Sequence, residues 1–291
     1  MADLGGLGLA WVHGCSAPPS RHLEINGLKF HYLDWGGDGP PLVMLHGLTG
    51  HAHTWDHTAA ALSARYHVYA LDQRGHGDTD WASRYGIPAM LGDLLGFLDA
   101  LQLRVVTLMG LSMGGIVSYQ FTAAHPERVS RLAVLDIGPE IAPAGGRQVA
   151  AALVSSDVFA SEDEAVAHAR AANPRPADES LRHRVSHNLR PLPDGTLTYK
   201  WDKALRDLGA IGDGLSPDQR WAAWNSLSCP VLLVRGDASD ILAPETAERM
   251  VAGNPHVSLA VVPDCGHSLT LDRPEGLLDA AGPWLAATEP G

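Results

Sequence analysis

The chain has 291 residues, is 45% apolar and 19% charged, and carries a formal net charge of −12. This is the composition of a globular protein, long enough for one large domain, or one with an insertion, around a full core. The negative charge disfavours binding to phosphate backbones, and no run approaches the roughly 18 apolar residues of a membrane-spanning helix. Neither a nucleic-acid nor a membrane partner is therefore expected.

Residues 4–12 are mildly apolar but glycine-rich, with no basic residue before them, so they do not read as a signal peptide. Residues 1–20 are expected to be a flexible tail and the protein cytoplasmic. Residues 23–26 and 29–34 read as two strands around Asn26-Gly27, a strong hairpin signal. Short apolar runs follow at 42–45, 68–71, 105–109, 132–137, 231–234 and 257–262. They lack polar alternation, which predicts parallel strands buried on both faces. Helical spacing of apolar residues alternates with them at 55–65, 88–103, 115–124, 244–251 and 274–285. The pattern predicts a doubly wound α/β sheet, whose ligands bind beyond the carboxyl ends of strands.

Between residues 138 and 229 the alternation stops for far longer than an ordinary loop. Helical pieces are expected at 147–154, 162–172, 178–189 and 217–227, with a turn at 191–195. The segment reads as a helical cap, residues 138–229, over a core made of residues 21–137 and 230–291. Such a cap supplies apolar walls and shields a site from water.

Gly110-Leu111-Ser112-Met113-Gly114 joins an apolar strand to a helix. That context puts the Ser112 hydroxyl on a sharp turn at a helix N-terminus, where backbone N–H groups favour a developing negative oxygen. A serine nucleophile needs a base, and the base an orienting carboxylate. His267, in Asp264-Cys265-Gly266-His267, follows the last strand and is the candidate base. Asp240 is the favoured acid, with Asp237 and Asp136 as alternatives, all three at strand ends. Leu48 and Met113 are the candidate backbone donors to an oxyanion. His46 reads as a buried hydrogen-bonding residue close to the pocket. Trp201, Trp221 and Trp224 are candidate pocket walls or cap packing, and Arg190 or Lys200 candidate carboxylate binders. Cys15, Cys229 and Cys265 show no C-x-x-C spacing, so no disulfide framework or zinc knuckle is expected.

In these motifs the chain resembles the α/β-hydrolase superfamily in its capped serine-hydrolase branch. His46-Gly47-Leu48 is similar to the family's oxyanion loop, Asp72 to Gly77 to its turn after the fourth strand, and Gly110 to Gly114 to its nucleophile elbow. Gly266-His267 resembles the histidine loop, and Arg235 to Leu242 the acid loop. Asp78-Thr79 departs from the family's usual serine, which is expected to affect only the packing of that turn. The resemblance implies an eight-stranded, mostly parallel sheet with a cap. It also implies a serine hydrolase of small to medium carboxylic esters or lactones, acting as a monomer or homodimer without cofactor or metal. Amide or carbon–carbon bond hydrolysis is the alternative within the fold. The aspartate nucleophile of related epoxide hydrolases and dehalogenases is missing. A ligand receptor of the same fold is a weaker alternative. So is a metallohydrolase, since His51-Ala52-His53-Thr54-Trp55-Asp56-His57 nearly matches a metal signature but carries one extra residue. It reads instead as a polar helix start near the site mouth.

Overall fold

The computed structural model describes residues 18–287. Most of the expected tail, and Cys15 with it, lies outside the described residues. Strands β1 (Ser20–Ile25) and β2 (Leu28–Gly36) form the expected hairpin, with Asn26 and Gly27 at φ 54° and 77° as a tight two-residue turn requires. There follow β3 (Pro41–Leu45), α1 (Asp56–Leu62), β4 (His67–Leu71), α2 (Ile87–Ala100), β5 (Val106–Leu111), α3 (Met113–Ala124) and β6 (Val129–Leu135). An insertion carries α4 (Pro143–Leu153), β7 (Val158–Phe159), α5 (Glu162–Ala172), α6 (Asp178–Asn188), β8 (Leu189–Pro191), β9 (Leu197–Tyr199) and α7 (Pro217–Asn225). The chain then returns through β10 (Val231–Gly236), α8 (Pro244–Ala252), β11 (Val257–Val262), α9 (Leu269–Asp272) and α10 (Pro274–Ala286).

The main sheet has eight strands in the order β1-β2-β4-β3-β5-β6-β10-β11, parallel from β4 to β11 and antiparallel at β1 and β2. Its central strands are buried on both faces. Val43 and Leu45 face one apolar cluster, with Leu94 of α2, Val117 of α3 and Met250 of α8. Leu42 and Met44 face the other, with Trp55 and Leu277 of α10. Alternate side chains thus fill two cores, which explains the unbroken apolar runs. The run at 257–262 differs. As β11 is an edge strand, Leu259 and Val261 are exposed. No helix among the described residues is long and apolar enough to cross a membrane.

The insertion is not purely helical. Strands β7, β9 and β8 make a small antiparallel sheet, turning at Gly195, and a separate cluster of Phe159, Ala165, Leu181 and Val185 includes Leu271 of the main body. The three tryptophans make extensive packing contacts. Trp224 is fully buried, donates Nε1–H to the Met250 carbonyl at 3.0 Å and meets Tyr119 edge-on. Trp221 donates to Glu140 at 2.6 Å beneath the Arg249 guanidinium, and Trp201 lies 3% exposed under Lys203 and Arg206. Trp224→Ala should cost about 3–5 kcal/mol in urea unfolding, from lost burial and a new cavity, with KM unchanged. A small stability change with a raised KM would return Trp224 to the substrate pocket.

Candidate active site

Strand β5 runs into Ser112, whose φ of 53° and ψ of −119° lie outside the regions a non-glycine residue prefers, at a cost of about 1–3 kcal/mol. The elbow exists because the chain must reverse against its neighbours with almost no room. A Cβ on Gly114 would stand 2.1 Å from the Leu45 carbonyl oxygen, and one on Gly110 2.3 Å from that of Gly114. Both glycines let strand and helix approach closely, as the sequence predicts. Ser112 is partly exposed, and its hydroxyl makes no hydrogen bond within the described residues. Such bonds are often long or misaligned before a ligand binds.

The carboxylate at His267 is that of Asp136, which corrects the preference for Asp240. His267 Nδ1–H donates to Asp136 Oδ2 at 2.8 Å. Asp136 is fully buried at the end of β6, with φ 52°. Its Oδ1 accepts the Gly236 N–H at 3.1 Å, and its Oδ2 also accepts the Ser239 hydroxyl. The ladder explains the choice. Strand β6 lies between β5 and β10, the Ser112 N–H donates to the Leu135 carbonyl, and the Asp136 N–H donates to that of Val234. Asp136 therefore stands at the strand end next to the serine. The loop after β10 supplies donors to this acid instead of the acid itself. Asp240 makes no side-chain hydrogen bond among the described residues, and Asp237 is exposed, with Oδ1 on the Cys265 N–H at 3.0 Å.

A Cβ on Gly47 would lie 3.1 Å from Ser112 Cβ, so the His46–Gly50 loop runs against the serine. Met113 opens α3, where the helix leaves its N–H without an intrahelical acceptor, and the Leu48 N–H enters no turn or loop hydrogen bond. Both amides are unspent beside the serine. His46 holds this loop from within the core. It is fully buried, accepts the Gln73 N–H on Nε2 at 3.0 Å and donates Nδ1–H to the Gly47 carbonyl at 2.8 Å. Behind it the buried Asp72 carboxylate accepts from His31 Nδ1 and from the amides of Ala52 and Asp78. Hydrogen bonds and charge from His31 hold that carboxyl well below the usual range, outweighing burial, which is the largest single influence and acts the other way. The Thr79 hydroxyl bonds the Asp72 carbonyl at 2.7 Å and accepts the His31 N–H at 2.8 Å, so the unusual residue at this turn packs locally.

Residues 42–280 match the alpha/beta hydrolase family. The chain belongs to that family. It is 29% identical to the 3-hydroxybutyrate-oligomer hydrolase of Cupriavidus necator over 89% of this chain and 92% of that one. It is 30% identical to esterase Rv0045c of Mycobacterium tuberculosis over 91% of this chain and 89% of the relative. A crystal structure of E-2-(acetamidomethylene)succinate hydrolase superposes with a TM-score of 0.85 at 25% identity, covering 93% of this chain and all of that one.

Other groups of this α/β hydrolase fall into place around the site. Cys265, two residues before His267, is buried, and its thiol is pushed up to about 12, first by burial and then by nearby carboxylates; it is no competing nucleophile. Lys200 pairs with Asp78, and Arg190 stacks on Trp81. Sequence reasoning missed Arg184. It lines a cleft, open to solvent, between α6 and residues 270–271, and its side chain makes no hydrogen bond or ion pair among the described residues. Burial lowers its proton affinity, while Asp272 and Tyr199 act on it only through space. A polar cation so placed in the insertion was detectable only as one arginine among many.

Burial also depresses the proton affinity of His46, His51 and His76, the last to about 3. In the unfolded chain each titrates near 6.5, so below that pH the unfolded state binds protons the fold refuses. Their contribution to stability is present above about pH 6.5 and is lost as pH falls. Urea unfolding between pH 7 and pH 5 should show the folding constant dropping by about 25-fold in all for each histidine still neutral, with a slope nearing tenfold per pH unit only well below pH 6.5. A flat profile over that window would contradict the burial of these rings as neutral groups.

Proposed function

We propose that this α/β hydrolase is a serine hydrolase of carboxylic esters of small to medium acyl substrates, acting through an acyl-enzyme. One observation carries the reading: His267 is fixed by a buried carboxylate on the strand adjoining Ser112. With Nδ1–H committed to Asp136, the His267 Nε2 holds the lone pair that takes the Ser112 proton. Ser112 Oγ attacks the carbonyl carbon, and the Leu48 and Met113 amides receive the oxyanion. His267 then returns the proton to the leaving alkoxide, and water repeats the sequence to free the acid. Asp136 remains an anion and stabilises the imidazolium. The segment 138–229 acts as a cap that limits water at the acyl group.

Ser112→Ala should abolish turnover of p-nitrophenyl esters without unfolding the chain, and an organophosphate should label Ser112. Asp136→Asn should lower kcat by about four orders of magnitude through the wrong histidine tautomer. Asp240→Asn should stay within about threefold of the parent. Equal losses in the two aspartate variants would remove Asp136 from this role.

A further inference from the structure

Across the seam between the insertion and the main body, four side chains form a cluster that the ester reaction does not use. His53 lies on the 3-10 turn Ala52–Trp55, and Asp56 opens α1. His183 and His187 lie one turn apart on α6 and so share a face. One ring nitrogen from each of His53, His183 and His187 lies within 4.8 Å of one on each of the others. The His187 ring stands 3.9 Å from that of His53 and 4.4 Å from that of His183, centroid to centroid.

The hydrogen bonds set the protonation. His53 Nδ1–H and His183 Nε2–H both donate to Asp56 Oδ2 at 2.8 Å, and His187 Nδ1–H donates to the His183 carbonyl at 2.9 Å. Each ring thus spends one N–H on the fold and keeps the lone pair of its other nitrogen. Carboxylate and carbonyl acceptors of this kind orient histidines that bind metals. A second observation points the same way. Asp56 Oδ1 is buried with no hydrogen-bond partner, and Asp56 is 5% exposed. A carboxylate oxygen left bare in the interior is costly unless a cation answers it.

We infer that His53, His183, His187 and Asp56 form a binding site for a divalent transition-metal ion, zinc above all, which fastens the insertion to the main body. Asp56 orients two of the rings and balances the charge, and three imidazoles with a water in the fourth position suit zinc by donor type and number. Binding draws the nitrogens from their present spacing to about 3.4 Å, which rotation of surface-accessible rings supplies. The site differs from the one anticipated within residues 51–57. His57 faces Glu275 at 3.5 Å, and His51 donates to the Arg184 carbonyl, so the ligands of the sequence motif part company and two come from the insertion. The ion is not the hydrolytic centre. The cleft that His53, Asp56 and His183 line includes none of Ser112, Asp136 or His267.

The test uses the whole chain freed of metal with EDTA. Zinc titrated by calorimetry should bind at one equivalent and raise the thermal midpoint, and cobalt(II) should give the intense visible bands of a four-coordinate ion. His187→Ala and His53→Ala should each weaken zinc binding at least tenfold and abolish the cobalt bands, with the metal-free midpoint near that of the parent. His57→Ala should change neither. Binding of much less than one equivalent, binding unaffected by both ligand variants, or binding lost only in His57→Ala would each overturn the proposal.

Discussion

The hydrogen bond from His267 to a fully buried carboxylate is the constraint on which the site depends. Asp136 is fully buried, and three donors replace its hydration: the Gly236 amide, the Ser239 hydroxyl and the His267 ring. Such an anion is tolerable only while every donor holds its place, because leaving one lone pair bare costs more than a surface hydrogen bond gains. The three strand ends of β5, β6 and β10 are therefore locked together at the site. Ser112 reaches β6 through the Leu135 carbonyl, Asp136 reaches β10 through that of Val234, and the loop after β10 closes back on Asp136. The Ser239 oxygen also receives the amides of Ile241 and Leu242 at 3.2 Å, so the same hydroxyl organises its own loop while it donates to the acid.

A second buried anion does for the oxyanion loop what Asp136 does for the histidine. Asp72 joins β2, the turn after β4 and the start of the 3-10 turn through His31, Asp78 and Ala52. His46 then ties that turn to Gly47 through both ring nitrogens, which requires a neutral ring. The loop carrying Leu48 is held by buried groups behind it, so its amides are oriented by the fold itself. Preorganised donors of this sort cost nothing to arrange at the moment of reaction.

How much of this was legible in the sequence follows from the range of the forces involved. The Asn26-Gly27 hairpin, the central strands, the elbow at Ser112 and the loop of His267 are set by local sterics and apolar patterning, and they stand where the pattern puts them. The acid was not legible in the same way. Asp136, Asp237 and Asp240 all follow strands and all precede His267, so spacing ranks them equally. What separates them is that β6, not β10, is hydrogen-bonded to β5, which sets Asp136 at the strand end beside the serine, while β10 lies one strand further away. The strands β7, β8 and β9 escaped notice because two or three residues leave no periodicity to read. The tryptophans were visible as large apolar groups, but whether such a ring faces a cavity or a neighbouring helix is decided only in three dimensions. The histidines at 183 and 187 gained meaning only when α6 came to rest on His53 and Asp56.

Helix α6 draws these threads together. Its Asn188 side chain donates to the Thr49 carbonyl at 3.0 Å, and its Arg184 carbonyl accepts from His51 at 3.0 Å, so it grips the oxyanion loop at both flanks of Gly50. The same helix lends Arg184 to the lining of the cleft and sets His183 against Asp56. Leu181 and Val185 root its other face in the insertion's own core. A shift of the insertion is therefore felt at the Leu48 amide through two hydrogen bonds, with no intervening flexible linker. One helix thus joins the insertion's own core, the His53–Asp56 cluster and the loop that runs beside Ser112.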